Sequence, residues 1–348
     1  MNPYTLVILF TALGLGTTIT FMSSHWLLAW MGLEMNTLAI IPLMAQHHHP
    51  RSTEAATKYF ITQAAAAAML LFAAITNAWL TGQWDVAQTM HPLPNSLLIL
   101  ALALKLGLAP THVWLPEVLQ GLDLTTGMIL STWQKLAPFT LLLQIHTSNP
   151  HLLMALGLTS ILVGGWGGLN QTQLRKILAY SSIAHLGWMV MIMQFSPSMA
   201  LMALVTYIMM TSSMFMLFNF TKSTTANALA TSWTKAPVIT SLAPLALLSL
   251  GGLPPLTGFM PKWLIIHELT KQQLALTATM AALAALLSLY FYLRLTYSMA
   301  MTISPNNTTA NSPWRLYVKS TTMPLSLTMI TALMLLPTAP TIVALTLT

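Results

Sequence analysis

The chain has 348 residues, of which 55% are hydrophobic and only 5% charged, where a soluble protein of this size carries roughly 25% charged residues. Thirteen Lys+Arg and six Asp+Glu are too few to solvate a globular surface, and the mean hydropathy of +0.70 agrees. This excludes a soluble enzyme and a disordered chain, and the +7 formal charge is scattered rather than gathered into a basic run, which excludes a nucleic-acid binder. Cysteine is absent, so disulfides, thiolate metal sites and cysteine-ligated clusters are excluded too.

A membrane helix needs about 20 mostly apolar residues. On that measure the chain reads as an all-α polytopic membrane protein of about eleven spans, near 3–22, 25–45, 57–80, 95–119, 123–145, 150–170, 174–195, 199–221, 238–266, 274–300 and 324–346. Met1-Asn2-Pro3-Tyr4 has no basic stretch ahead of the first apolar run, so that run is expected to stay as a membrane helix. The run His47-His48-His49 reads as a solvated loop. The glycines 164, 165, 167 and 168 lie in an apolar helical run without the strand–turn–helix setting of a nucleotide fingerprint, and are expected to serve close helix packing.

Two spans are expected to be broken inside. The fourth contains Lys105-Leu106-Gly107-Leu108-Ala109-Pro110, and the ninth Gly251-Gly252-Leu253-Pro254-Pro255-Leu256-Thr257-Gly258. Proline removes a backbone donor, and the freed carbonyls cannot face lipid, so such breaks must be buried in protein or line a wet cavity. Simple proline kinks are the alternative. Spans 1–5 and 6–10 form two blocks of five, each with its broken helix in fourth place. Five being odd, the blocks enter the membrane in opposite senses, which is the pattern of a transporter built from inverted repeats. The expected organisation is one membrane domain, 1–348: a first repeat over 1–147, a second over 148–303, and a loop with one extra C-terminal helix over 304–348.

With the N-terminus on one side, the loops of that side hold Arg51, Lys58, Arg175, Lys176, Lys222, Lys235, Arg294, Arg315 and Lys319, and the opposite loops only Lys271. The N-terminal side is therefore the positive side, cytoplasm or mitochondrial matrix, and an odd span number puts the C-terminus opposite.

Four ionisable residues stand out within the spans, since a charge deep in the bilayer costs ~2.5 to over 10 kcal/mol. Glu34 lies in the second span, Lys105 before the first break, Lys135 in the fifth span and Lys262 after the second break. Lysine suits proton handling, because its ordinary pKa of ~10.4 falls on desolvation and rises beside a carboxylate; arginine stays charged. One carboxylate cannot neutralise three lysines, and which of them pairs with Glu34 is open. Structural ion pairs are the alternative for all four, and snorkelling for Lys262. His112, two residues after Pro110, and His185, within the seventh span, are weaker proton-relay candidates beside the plainer role of a carbonyl-bonded histidine.

The segments Trp30-Met31-Gly32-Leu33-Glu34-Met35-Asn36, Lys105-Leu106-Gly107-Leu108-Ala109-Pro110-Thr111-His112-Val113-Trp114-Leu115-Pro116-Glu117 and Leu253-Pro254-Pro255-Leu256-Thr257-Gly258-Phe259-Met260-Pro261-Lys262-Trp263 resemble the chain 2 family of NADH–ubiquinone oxidoreductase, mitochondrially encoded antiporter-like membrane subunits of respiratory complex I. The resemblance covers the whole chain. It implies two inverted five-helix repeats, Glu34 as acidic partner of Lys105, Lys135 as connecting lysine, and Lys262 as the lysine of the second broken helix. His185 stands where bacterial relatives carry a central lysine. The resemblance also implies proton translocation driven by electron transfer from NADH to ubiquinone in other subunits. No cofactor or metal is then expected on this chain, since NADH, flavin, iron–sulfur clusters and ubiquinone belong to its partners. Those partners are neighbouring antiporter-like and small membrane chains and the lipid bilayer, with no nucleic acid. The implied location is the mitochondrial inner membrane, N-terminus in the matrix and C-terminus in the intermembrane space. A free-standing cation/proton antiporter and a non-conducting structural subunit are the alternatives.

Overall fold

The computed structural model describes residues 2–46, 49–88, 91–145, 150–234, 237–302, 322–341 and 344. They are helical, with two isolated bridges and no strand among them. The chain divides into two compact units, Met1–Ser160 and Ile161–Thr348.

The first unit holds α1 (Pro3–Met22), α2 (Trp26–Met44), α3 (Pro50–Thr81), α4 (Pro92–Leu106), α5 (Trp114–Gly121), α6 (Leu124–Thr132), α7 (Leu136–Gln144) and the start of α8 (Pro150–Gly167). Proline opens α1, α3 and α4, where its missing amide is one that a helix start leaves unbonded anyway. His25 and His49 cap α2 and α3, each Nδ1 accepting a backbone amide at 3.2 Å. Helix α3 begins two turns before the expected 57, because hydropathy does not register a helix that continues past its apolar stretch. Helices α1 and α2 meet closely through glycines: a Cβ on Gly32 would lie 2.6 Å from Thr20 Cγ2 and 2.8 Å from the Gly16 carbonyl.

The second unit holds the rest of α8, then α9 (Leu174–Ile192), α10 (Pro197–Thr221), α11 (Ala226–Ala230), α12 (Pro237–Gly251), α13 (Phe259–Lys271), α14 (Ala275–Met301) and α15 (Met323–Met334). Helix α9 is buried nearly all round and forms the centre of this unit. The glycine run packs as expected: Gly164 lies on the Tyr180–Ala184 turn of α9, and Gly165 and Gly168 on Leu287 and Phe291 of α14. Among the described residues, six helices are long and apolar enough to cross a membrane: α1, α2, α3, α8, α10 and α14. Exposed side chains such as Val7, Ile8 and Phe10 on α1 or Leu283 and Leu286 on α14 suit contact with lipid tails.

Three departures from the expected layout have local causes. The fifth span is also interrupted, by a 3-10 turn at Trp133–Lys135 between α6 and α7. Pro138 has no amide to bond the Gln134 carbonyl one turn back. Helix α15 is interrupted after Met334 by a 3-10 turn, Leu336–Thr338, around Pro337, and residues 339–341 are helical again. Arg294 is not in a loop but inside α14, where its guanidinium donates to the carbonyls of Leu169 and, at 2.6 Å, Gln171, satisfying the turn that follows α8. His47, His48, Lys235, Arg315 and Lys319 lie outside the described residues.

Each unit carries the same backbone clasp. In the first, the Trp26 amide donates to the Trp84 carbonyl at 3.0 Å and the Val86 amide to the Ser24 carbonyl at 2.8 Å, bracketing the His25–Asp85 bridge. In the second, the Leu174 amide donates to Thr224 at 3.1 Å and the Ala226 amide to Thr172 at 3.0 Å, bracketing Gln173–Thr225. Both clasps join the turn between the first two helices of a unit to the segment after its third.

Candidate proton-transfer sites

The two expected breaks are real and are built alike. Helix α4 ends on Gly107 at φ 80° and α12 on Gly252 at φ 79°, a left-handed conformation that glycine adopts without a Cβ penalty. The Gly107 amide bonds Ala103 and Leu104, and the Leu108 amide bonds Ala103 at 2.9 Å. The Gly252 amide bonds Leu248 and Ser249, and the Leu253 amide bonds Leu248 at 3.3 Å. Three residues after each glycine comes a cis proline, Pro110 and Pro255. The chain then re-enters a helix, α5 or α13, with proline at its third position.

The breaks free carbonyls, and each is met by a different donor. At the first, Trp114 Nε1 donates to the Leu104 carbonyl at 3.1 Å, with the indole against the Tyr59 ring at 5.7 Å. At the second, Lys262 Nζ itself donates to the Gly251 carbonyl at 2.7 Å.

Around the first break, Lys105 and Lys135 are 7% and 3% exposed and line one cavity of about 20 Å³ together with Asn36, Tyr59, Gln63 and Gln134. That volume admits about one water. The Lys105 ammonium, both amide atoms of Asn36 and the Gln63 amide nitrogen are buried without a hydrogen-bond partner among the described residues. Glu34 is half-buried and accepts from Thr37 Oγ1 at 3.4 Å. Glu34 and Lys105 are not within ion-pair distance of each other. His112 is outside this cavity, with Nδ1 at 3.2 Å from the Pro110 carbonyl.

In the second unit, His185 of α9 and Lys262 of α13 line one narrow pocket with Ser181, Ala184, Trp188, Ser288 and Tyr292. The His185 ring lies 5.6 Å from that of Tyr207. The first unit thus gathers Lys105 and Lys135, with Glu34 at the edge, and the second gathers His185 and Lys262. Asn36, Gln63, Gln134 and the buried tyrosines were not singled out from the sequence. A lone amide in an alanine-rich span, as at Gln63, is the signal that was there. No cluster of metal-ligating side chains occurs among the described residues.

Residues 23–288 match the NADH:quinone oxidoreductase/Mrp antiporter transmembrane family, and residues 289–343 the NADH dehydrogenase subunit 2 C-terminus. The NADH-ubiquinone oxidoreductase chain 2 of Tetraodon nigroviridis is 68% identical over 345 residues, 99% of each chain. Among solved structures, a chain of respiratory complex I from Thermus thermophilus is 29% identical with a TM-score of 0.80, over 96% of this chain and 80% of that one. A chain of the archaeal membrane-bound sulfane sulfur reductase shares the fold at 18% identity, TM-score 0.84, over 97% of this chain and 74% of that one. The chain belongs to the NADH–ubiquinone oxidoreductase chain 2 family, within the antiporter-like membrane proteins.

Proposed function

We propose that this chain works as a core membrane subunit of a proton-translocating NADH:ubiquinone oxidoreductase and carries protons across the bilayer through Glu34, Lys105, Lys135 and Lys262, with His185 beside Lys262 as a relay and His112 at the margin. The observation that carries the reading is Lys105: a buried ammonium at a helix break, without a hydrogen-bond partner, sharing a water-sized polar cavity with Lys135. A buried polar group left unpaired costs about 1–3 kcal/mol. A structural ion pair would leave no such group. A lysine that exchanges its proton through water with a second lysine needs this arrangement.

Electron transfer takes place in partner subunits, which hold NADH, flavin, iron–sulfur clusters and ubiquinone. Its energy reaches this chain as a change in charge and packing. Movement of Glu34 toward or away from Lys105 alters how tightly that ammonium holds its proton. The lysine then loads from one side and releases toward Lys135, and a corresponding step at Lys262 completes passage.

The reading includes eleven spans in two inverted repeats, 1–147 and 148–303, with α15 as an addition. The like-built breaks at Gly107 and Gly252 and the like-built clasps support the repeats. The cation distribution supports a matrix-side N-terminus in the mitochondrial inner membrane and a C-terminus on the intermembrane-space side.

The test is proton yield per NADH oxidised, measured on the assembled complex in sealed vesicles carrying Lys105→Met or Lys135→Met. The expected outcome is intact assembly with a yield clearly below that of the unaltered complex. An unchanged yield in both variants overturns the proposal and leaves a structural subunit.

A further inference from the structure

The second unit contains another cavity, of about 490 Å³, that touches none of the ionisable residues. It follows one stripe of α10: Ser198, then Leu201 and Met202, Val205 and Thr206, Met209 and Met210 recur at helical spacing. At 1.5 Å per residue this stripe is about 18 Å long. Half of a ~30 Å hydrocarbon layer is about 15 Å. Since α10 begins at Pro197, the cavity is a trough that runs from the helix end at the membrane surface to about mid-depth, where it meets Thr257 of the second break.

The trough has a floor and a mouth. Met202, Thr206, Met210 and Thr257 are buried, while Leu201, Val205 and Met209 are 43%, 54% and 38% exposed. Thr331 and Leu335, at and just past the end of α15, form the far wall. The threonine hydroxyls are already spent on carbonyls: Thr206 on Ala203 at 3.0 Å, Thr331 on Thr328 at 2.9 Å, and Thr257 on Ala332. The threonines are therefore left to offer chiefly methyl groups, and the lining residues carry no charge.

Length separates the possible occupants. A helix of another subunit would have to cross the whole ~30 Å hydrocarbon layer, whereas the trough stops at about half that depth. A polymethylene chain of one leaflet matches its length of about 18 Å, the lining is apolar, and three flexible methionines can close on the chain. We infer that this trough is a binding site for one acyl chain of a membrane phospholipid, with the headgroup at the Ser198 end and the chain terminus against Thr257. The inference needs α10 to cross the bilayer, and is independent of whether the lysines carry protons.

The test uses the whole complex in membranes containing phosphatidylcholine with a photoreactive diazirine on a sixteen-carbon acyl chain. After illumination, labelled peptides are identified by mass spectrometry. A diazirine at the chain terminus is expected to label Met210, Thr257 and Thr331, and one near the ester to label Ser198 and Leu201. Val205→Trp, which fills the trough from its mouth, is expected to reduce the terminal label at least tenfold while labelling of Leu283 and Leu286 on the exposed α14 face stays unchanged. Labelling of α10 and α14 alike, without dependence on diazirine position, shows ordinary lipid contact and overturns the site. Absence of label at the trough in the unaltered complex shows that protein covers it, either residues 303–321 or another subunit, and overturns the site equally. The comparison of diazirine positions needs no variant, so it decides the matter even if Val205→Trp does not assemble.

Discussion

Lys262 Nζ donates to the carbonyl of Gly251 at 2.7 Å, so the ammonium proposed to move protons also closes the end of its own broken helix. At the first break a tryptophan takes that task, Trp114 on Leu104 at 3.1 Å, and Lys105 is left without a partner. The two lysines are therefore unequal: one is tied to backbone geometry and the other is not.

That tie can be loosened without touching the lysine. A Cβ on Gly252 would lie 2.9 Å from both Cδ and Nζ of Lys262, and the residue sits at φ 79°. Gly252→Ala is expected to cost about 1–2 kcal/mol in backbone strain and to push Lys262 off the Gly251 carbonyl, lowering proton yield in the assembled complex. Gly82→Ala at φ 74°, with nothing within 4 Å, shares the strain and is expected to keep normal yield. Equal yields in the two variants would show that the Lys262 contact is of no account.

Trp114→Phe keeps a ring against Tyr59 but leaves the Leu104 carbonyl with the Gly107 amide alone, at 3.2 Å. The lost hydrogen bond is worth about 0.5–1.5 kcal/mol. Backbone amides around Gly107 are expected to exchange with deuterium several-fold faster, with the rest of the first unit unchanged. Exchange measured by mass spectrometry on the assembled complex checks this.

Gln63 is 3% exposed, and its amide nitrogen has no partner among the described residues. Gln63→Leu removes a polar group that only water can satisfy. The amount of assembled complex on a native gel is expected to be unchanged or higher, while proton yield per NADH falls. Full yield would show that the cavity beside Lys105 takes no part in transfer.

Gly258 has no room for any side chain, since a Cβ would overlap the Ser249 carbonyl within the second unit. Gly258→Ala is expected to abolish accumulation of the assembled complex. Gly14→Ala on α1, where nothing lies within 4 Å, is expected to leave it intact. Both are read on the same native gel stained for NADH oxidation.

Much of the helix layout was legible because the residues that end helices here are few and specific. Pro3 and the apolar run after it place α1 at Pro3–Met22, and a glycine followed three residues later by proline marks both breaks. The turn at Trp133–Lys135 was missed because its cause, Pro138, lies inside the next helix rather than at the turn. Arg294 was counted as a loop cation because charge alone does not say that a guanidinium caps the end of another helix. The clasps were not legible at all. They are backbone bonds between segments about 60 residues apart in the first unit and about 50 in the second, and no side-chain pattern reports them. Lys105, Lys135, Lys262 and Glu34 stood out by charge, whereas the amides that surround them look like ordinary polar residues until their burial is known.

The first unit is fastened differently at its two rims. The Ser24–Val86 clasp is made of backbone groups, which neither salt nor pH can neutralise. At the other end of α3, Lys58 joins Glu54 at 2.9 Å and Glu117 of α5 at 2.8 Å, all three side chains exposed by 43–62%. Such a pair is weak in water and screened within about 10 Å at moderate ionic strength. The unit resembles a door hung on a fixed hinge and held by an electrostatic catch. Raised salt weakens that catch and leaves the backbone clasp at the Trp26–Trp84 rim untouched, with the close packing of Gly121 of α5 on Arg51 and Ala55 of α3 still holding the two helices together.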